Sequence, residues 1–438
     1  MTTEQVADPI ADQTRSVDRR RAWSMTGLVV FLYVVNFADK AILGIIAQPL
    51  ARELGLSSTQ IGMVGSLFFL TFTIGGFLAG PLNKYLSLRW ALLILTAIWS
   101  VVLLPLVVAA SLVTLIVGRM LLGLAEGPSS ALMHTAAYSW HPPAKRGLPG
   151  AFLMGSGTVG KLLLAPVLTY LTVSYGWRTA VITLTFLGIA WSVCWLIGWK
   201  EGPYVGKSSK SQAGDSANDD GGNAEPSVPW RKIFLNRTFL SCSALTIVVY
   251  ALTTVVLTWL PSYFEKGLGY SALQAGSMFA LPSLIALVLM IISTVVTDRW
   301  LAAGGRSRTA RILVPCISVL IGGSILAALP LFDVPIVAVI VLSLGYGAVS
   351  MVFPLLNAAI SDLCPPQQTA GTMGVFLATM AIGGLIAPYA TGVIVDHAAT
   401  PVAGYGLAFQ GIGVLAVIAA VGVLIFADPD RDRKAIRG

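Results

Sequence analysis

The sequence predicts an all-α membrane protein whose twelve transmembrane helices form two six-helix bundles. Three observations predict it. The 438-residue chain is 56% hydrophobic and only 11% charged, with mean hydropathy +0.80, whereas a soluble chain carries about 25% charged residues. Apolar stretches of about 20 residues recur, each long enough to cross about 30 Å of hydrocarbon as a helix. A polar segment near the middle divides these stretches into six and six. Lipid offers the backbone no hydrogen bonds, so helices must satisfy it internally. The alternating segments of about ten residues that mark a membrane β-barrel are not seen in the pattern.

The spans are read at 24–48, 59–82, 89–110, 112–138, 148–172, 178–199, 238–262, 273–296, 311–330, 335–360, 370–394 and 404–427. Residues 1–22 read as a polar tail with Arg15, Arg19, Arg20 and Arg21, 23–199 as the first bundle, and 200–232 as a linker. Residues 233–428 read as the second bundle and 429–438 as a C-terminal tail. The linker contains SSKSQAGDSANDDGGNAEPS. It lacks apolar periodicity and reads as flexible. Placing both termini in the cytoplasm puts 22 of the 28 Lys and Arg residues on the cytoplasmic side. Only Arg52, Arg178 and Lys266 fall outside, and three more lie within spans. That bias fits the positive-inside rule and an even number of crossings.

The net charge of +8 is thus orientation chemistry plus attraction to anionic membrane lipid, which argues against a nucleic-acid partner. No cleavable signal peptide is read, because the first apolar segment is too long for one. Cys194, Cys242, Cys316 and Cys364 stand singly, without metal-ligand spacing, and read as packing residues. No metal cluster and no Walker-type GKS or GKT is present, so neither a cofactor nor ATP drive is expected. The expectation is a monomer in a bacterial inner (plasma) membrane.

The halves repeat. LGLSSTQIG (Leu54–Gly62) follows helix one, and LGYSALQAG (Leu268–Gly276) follows helix seven. HPPAKR (His141–Arg146) leads to Ala165-Pro166, as CPPQQT (Cys364–Thr369) leads to Ala387-Pro388. Two six-helix halves in parallel repeat are the architecture of the major facilitator superfamily. The helix two–three loop GPLNKYLSLRWALL (Gly80–Leu93) resembles that superfamily's loop motif, with Lys84 where an acid is usual and Ser87 where a glycine is usual. Asp298-Arg299 keeps the acid–base pair in the second half.

Five charges lie inside otherwise apolar spans: Asp39, Lys40, Arg119, Glu126 and Lys161. Each costs about 2.5–3.5 kcal/mol at the bilayer centre on insertion scales, so each requires a reason. Asn36, Asp39, Lys40 and Leu43 share a face by i, i+3, i+4 and i+7 spacing, and Arg119 and Glu126 share one two turns apart. Gly123 and Gly127 let a helix or a ligand approach closely. The expectation is one central cavity that handles protons and an anion together. Plainer readings stand beside it. Asp39, Lys40 and Glu126 could form inert ion pairs, and Arg119 and Lys161 could snorkel to the headgroups. His134 is either a proton relay or a satisfied interior histidine.

These residues resemble the anion–cation symporter branch of the superfamily, which includes galactonate, glucarate, phthalate and sialin-type carriers. The branch's N-[FY]-x-D-[RK] appears as NFADK, its G-R-x-x-x-G-x-x-E-[AG]-P as GRMLLGLAEGP, and WLPSYF (Trp259–Phe264) is similar to its helix-seven ending. The resemblance implies that Asp39 and Glu126 couple protons and that Arg119 binds substrate, with Lys40 where arginine is commoner. Sugar-acid carriers tend to have a polar residue where this chain has Gly157, and they usually lack a charge at Lys161. Asn36 and Tyr33 complete the substrate-facing set of the first half. Tyr250, Thr253 and Thr254, with Tyr346, Ser350, Phe353 and Asn357, are candidates from the second half, each with an ordinary packing role as the alternative. The expected function is proton-coupled uptake of a small organic carboxylate by alternating access. An anion exchanger of the same fold is the first alternative, and a membrane enzyme or receptor is the second.

Overall fold

The computed structural model describes residues 19–142, 145–204, 228–306, 308–365 and 368–437. The tail before Arg19 and linker residues 205–227, including most of the stretch read as flexible, lie outside the described residues. Among the described residues the fold is all-helical, with twelve helices long and apolar enough to cross a membrane. They are α1 (Arg19–Leu54), α2 (Ser58–Gly76), α3 (Leu88–Val108), α4 (Leu112–Tyr138), α5 (Gly147–Tyr175) and α6 (Trp177–Gly198) in the first half. The second half holds α7 (Arg237–Gly267), α8 (Ala272–Ala302), α9 (Thr309–Ala327), α10 (Pro335–Leu363), α11 (Gly371–His397) and α12 (Pro401–Phe426). Helix α1 is the most enclosed, with 83% of its most apolar window buried.

The observed helices depart from the expected spans at their ends, as in Arg19–Leu54 against 24–48 and Ala272–Ala302 against 273–296, and at internal interruptions. Helix α4 covers the expected 112–138, interrupted at Gly127-Pro128 between Leu112–Glu126 and Ser129–Tyr138, where both residues keep right-handed helical angles. Proline lacks a backbone donor and crowds the preceding turn, so the interruption falls there. Helix α7 ends in a π-helical turn, Tyr263–Gly267, just after Pro261. The C-terminal tail is helical over Pro429–Arg437.

The repeated LGxSxxQxG has a physical explanation. Gly55 and Gly269 adopt φ of +64° and +75°, a left-handed region that glycine enters without steric cost. Ser57 and Gln60 then form a reciprocal capping box on α2, and Ser271 and Gln274 form the same box on α8. Each box satisfies two backbone amides that have no partner within the helix. The glycines that close the two motifs serve the contact between halves. A Cβ on Gly62 would stand 2.3 Å from the Pro388 carbonyl oxygen, and one on Gly276 would stand 2.2 Å from Thr169 Oγ1.

The halves meet along α2–α11, α1–α7 and α5–α8. Both Arg19 and the C-terminal helix lie at one end of the bundle, called here the terminal side. At the opposite end the halves are sealed by polar contacts. Asp396 on α11 accepts the backbone amides of Ser58 and Thr59 at the start of α2, at 2.9 and 2.7 Å. Arg52 pairs with Glu265 at 2.8 Å, and Gln48 Nε2 donates to Ser262 Oγ at 3.0 Å. Ile61 and Val64 near the sealed end of α2 are buried, while Ile74 and the following Phe77 and Leu78 are exposed at the terminal side, Phe77 to 66%.

Candidate functional site

The middle of α1 supplies Asn36, Asp39 and Lys40, the middle of α4 supplies Glu126, and Arg119 lies two turns away on α4. All five side chains are buried. Small residues bring the helices this close. Gly123 and Gly127 pack α4 against the α2 backbone, where an added Cβ would lie 2.4 Å from the Phe68 carbonyl and 2.3 Å from the Phe72 carbonyl. The glycines therefore admit a helix, one of the two partners the sequence left open. On α5, Gly157 and Gly160 seat Phe37 and the α1 backbone in the same way.

Lys40 is the hub. Its Nζ donates to Asn36 Oδ1 at 2.5 Å and stands 3.9 Å from Glu126 Oε2. It also lies 4.8 Å from the centroids of both the Phe37 and Phe72 rings. Aromatic faces attract a desolvated cation, by about 2 kcal/mol or more where water is excluded. Arg119 lies over the Phe68 ring at 4.3 Å, and its Nη1 donates to the backbone carbonyl of Asp39 at 3.1 Å. The contact between Arg119 and Asp39 is thus to the backbone carbonyl and is not the ion pair anticipated as one reading. Its carboxylate enters no ion pair within 4.0 Å among the described residues. Arg119 does not snorkel, being 3% exposed.

The polar atoms of this cluster are incompletely satisfied. Both oxygens of Glu126, at 0% exposure, together with Asn36 Nδ2 and Arg119 Nε, are buried without a hydrogen-bond partner. Leaving such groups unpaired costs about 1–3 kcal/mol each, and more for charged ones. So dense a set of unmet donors and acceptors is rare in a packed interior. It is suited to a ligand or a proton.

Lys161 is separate. It is buried at mid-depth on α5, where it donates to Ser283 Oγ of α8 at 2.7 Å and lies 5.6 Å from the Phe279 ring. The structure thus differs from a single cluster of five charges. Lys161 bridges the two halves and has no acid within 4.0 Å among the described residues. Tyr33 shares a 2.6 Å hydrogen bond with Ser130 Oγ and meets the edge of the His134 ring. His134 Nδ1 contacts the Ser130 carbonyl oxygen at 2.8 Å.

The second half contributes less charge and more surface. Tyr250 meets Phe69 across the halves, with ring centroids 6.1 Å apart. Thr254 and Thr253 donate their hydroxyls to carbonyls of their own helix, Ala251 and Val249, which leaves their oxygens as acceptors and their methyl groups for contact. Tyr346 is buried, and Ser350 donates to its carbonyl. Phe353 and Asn357 are half-buried on the part of α10 that leads to the terminal side. The aromatic collar of Phe37, Phe68 and Phe72 and the Ser283 acceptor were not among the expected residues. The i, i+4 spacing of Phe68 and Phe72 in LFFLTF was a usable signal for the collar. A lone serine among many offered none. No group of three or more His, Cys, Asp or Glu able to hold a metal occurs among the described residues.

A family model described as Major Facilitator Superfamily matches residues 29–388 and 345–438. The chain is similar to the "Probable sulfoacetate transporter SauU" of Cupriavidus necator, with 26% identity over 428 residues covering 94% of this chain and 96% of that protein. It is similar to the "Hexuronate transporter" of Bacillus subtilis, with 27% identity covering 92% and 94%. It is also similar to the "D-galactonate transporter" of Escherichia coli, with 26% identity covering 93% and 95%. Among solved structures it resembles a bacterial homologue of the human lysosomal transporter Spinster in an inward-facing, unoccupied conformation. The TM-score is 0.78 at 16% identity, covering 96% of this chain and 99% of that one. A D-xylose-proton symporter gives 0.73 at 17% identity, covering 94% and 99%. At these identities the structures bear on the fold alone.

Proposed function

The chain belongs to the major facilitator superfamily and is an integral, multi-pass membrane transporter rather than an enzyme; from that premise we propose that it carries a small organic carboxylate together with protons, by alternating access. The observation that carries the reading is Glu126. It is fully buried, lacks a hydrogen bond on either oxygen, and stands 3.9 Å from a lysine that a substrate anion would compete for. When an anion engages Lys40 and Arg119, Glu126 loses its counter-charge and takes up a proton. Asp39, whose carbonyl is held by Arg119, responds to the same event. Substrate and proton then cross as a less charged package. Arginine suits a two-pronged grip on a carboxylate, and lysine acts as a point charge.

The named relatives support the substrate class, since sulfoacetate, hexuronate and galactonate are all organic acids. Lys161, Tyr33, Asn36, Tyr250, Thr254, Tyr346, Phe353 and Asn357 would line the path around the central cations. The excess of Lys and Arg on the terminal side favours a cytoplasmic terminal side, and a bacterial inner membrane as the location. In that orientation the sealed end faces outward, and the protein is poised to load or release from within.

The test has two stages. Purified protein is screened by thermal shift against sugar acids, aromatic acids, sulfonates and dicarboxylates. A ligand at 100 times its Kd adds about 2.7 kcal/mol to the folded state. Uptake of the hit into proteoliposomes is then driven by a pH gradient. Wild type is expected to concentrate the acid, while Glu126→Gln and Asp39→Asn bring it only to equilibrium. Concentration by both neutral variants would remove the proton from the scheme and favour anion exchange. Stabilisation by neutral or cationic compounds alone would end the organic-anion reading.

A further inference from the structure

On the terminal side, away from the central site, the chain builds a second cationic recess. The short helix Trp230–Phe234 leads into α7, and the helix Pro429–Arg437 follows α12. Between them lies a cavity of about 550 Å³ lined by Lys232, Leu235, Asn236, Arg237, Arg431 and Asp432, among others. Its acid is already committed to the framework. Asp432 is buried, accepts from Thr238 Oγ1 at 2.7 Å through one oxygen, and accepts from Arg431 Nε at 2.8 Å through the other. Lys232 and Arg237 form no ion pair within 4.0 Å among the described residues. The recess therefore presents three cations against one occupied carboxylate.

Its location selects among anions. Arg237 opens α7 and Phe426 closes α12, so the cavity stands where two spans leave the hydrocarbon. Leu235, Leu240 and Phe426 beside it are exposed apolar side chains. Trp230 is exposed too and stacks on Phe234 with centroids 5.4 Å apart, in the manner of an aromatic anchor at the membrane interface. A ligand that fits both features has a phosphate for the recess and acyl chains for the apolar border. We propose that this recess is a binding site for the phosphate of an anionic phospholipid, which would clamp the C-terminal helix to the base of α7. The inference is independent of what the central site carries.

Native mass spectrometry of the full-length protein tests it, by titrating phosphatidylglycerol and phosphatidylethanolamine against wild type, Lys232→Gln/Arg237→Gln and Lys232→Glu/Arg237→Glu. Lys84→Glu, an exposed charge change elsewhere on the same side, serves as control. Each lost cation is expected to weaken phosphatidylglycerol binding about fivefold, so the glutamine pair loses roughly 25-fold. The glutamate pair loses more, and Lys84→Glu loses little. The glutamine pair keeps the test decisive if charge reversal impairs folding. Equal retention of phosphatidylglycerol by wild type and the glutamine pair would overturn the site. Equal retention of both lipids by wild type would overturn the anionic requirement. Displacement of phosphatidylglycerol by an equimolar amount of sodium phosphate would make it a soluble-phosphate site and overturn the lipid assignment.

Discussion

In the first half, α1, α4 and α5 bury Asp39, Lys40, Arg119, Glu126 and Lys161 at or near mid-depth. The corresponding α7, α10 and α11 of the second half bury no charged side chain there among the described residues, and offer Tyr250, Thr254 and Tyr346 instead. The scaffold is otherwise shared, down to the same capping box at Ser57 and Ser271. A repeated fold thus leaves its chemistry free to diverge. One half holds the charges, the other provides surface, and the seams of α2–α11, α1–α7 and α5–α8 join them.

The seam is the most direct place to break this division. Gly62→Leu would push a side chain into the Pro388 carbonyl, so α2 and α11 must separate; overpacking of this kind costs about 1–3 kcal/mol or more. Transport is expected to be lost, with a cysteine at Ser66 becoming reactive from the sealed end. Gly27→Ala, which meets nothing within 4 Å, should change neither. Lys161→Met comes next. Removing a hydrogen-bonded charge of this kind is worth about 1.5–3 kcal/mol, so acid binding measured by calorimetry should weaken roughly 10- to 150-fold. Ser283→Ala should weaken it less, since the cation stays. Wild-type affinity in Lys161→Met would make the bridge purely structural.

Smaller effects sharpen the comparison. Asp396→Asn replaces a charged cap by a neutral one, and caps are worth about 0.5–2 kcal/mol. Spin-label distances across the sealed end should display a larger open population, by a few-fold. His141 offers a pH test of the first half alone. Its Nε2 lies 2.8 Å from Thr26 Oγ1, and burial, with Arg146 nearby, holds its pKa below the ordinary 6.5. The unfolded chain then binds the proton first, so stability is retained above pH 6.5 and falls as pH drops from there towards the lower folded value. Thermal unfolding of His141→Gln should lack that slope. Arg52→Ala should matter least. Its pair with Glu265 is exposed, and such pairs contribute about 0–1 kcal/mol, so only a slight rise in labelling at the sealed end is expected.

Much of this architecture was legible in the sequence because lipid enforces simple rules. Length, hydropathy and the Lys/Arg bias identify spans, and Leu54–Gly62 against Leu268–Gly276 reveals the repeat. The buried charges stood out because hydrocarbon makes them expensive. Their partners were less legible. Spacing put Arg119 and Glu126 on one face, but nothing in it indicated that Arg119 would bind the Asp39 carbonyl rather than its carboxylate. Lys161 was visible as a charge, whereas its acceptor Ser283 lies 122 positions away and looks like any helical serine. The interruption of α4 at Gly127-Pro128 was signalled by the proline, and the continuous hydropathy across it matches the single span Leu112–Tyr138.

The cap on α2 has a consequence for how the protein is made. Ser58 waits for Asp396, a residue 338 positions later. At typical elongation rates of about 5–20 residues per second, that interval is roughly 17 to 70 s. For that time the nascent first half holds its own serine cap at Ser57 while two further amides lack the carboxylate that finishes them. The ribosome therefore delivers the last piece of the latch at the sealed end only when the eleventh span is all but complete, and a chain halted earlier would be left ajar.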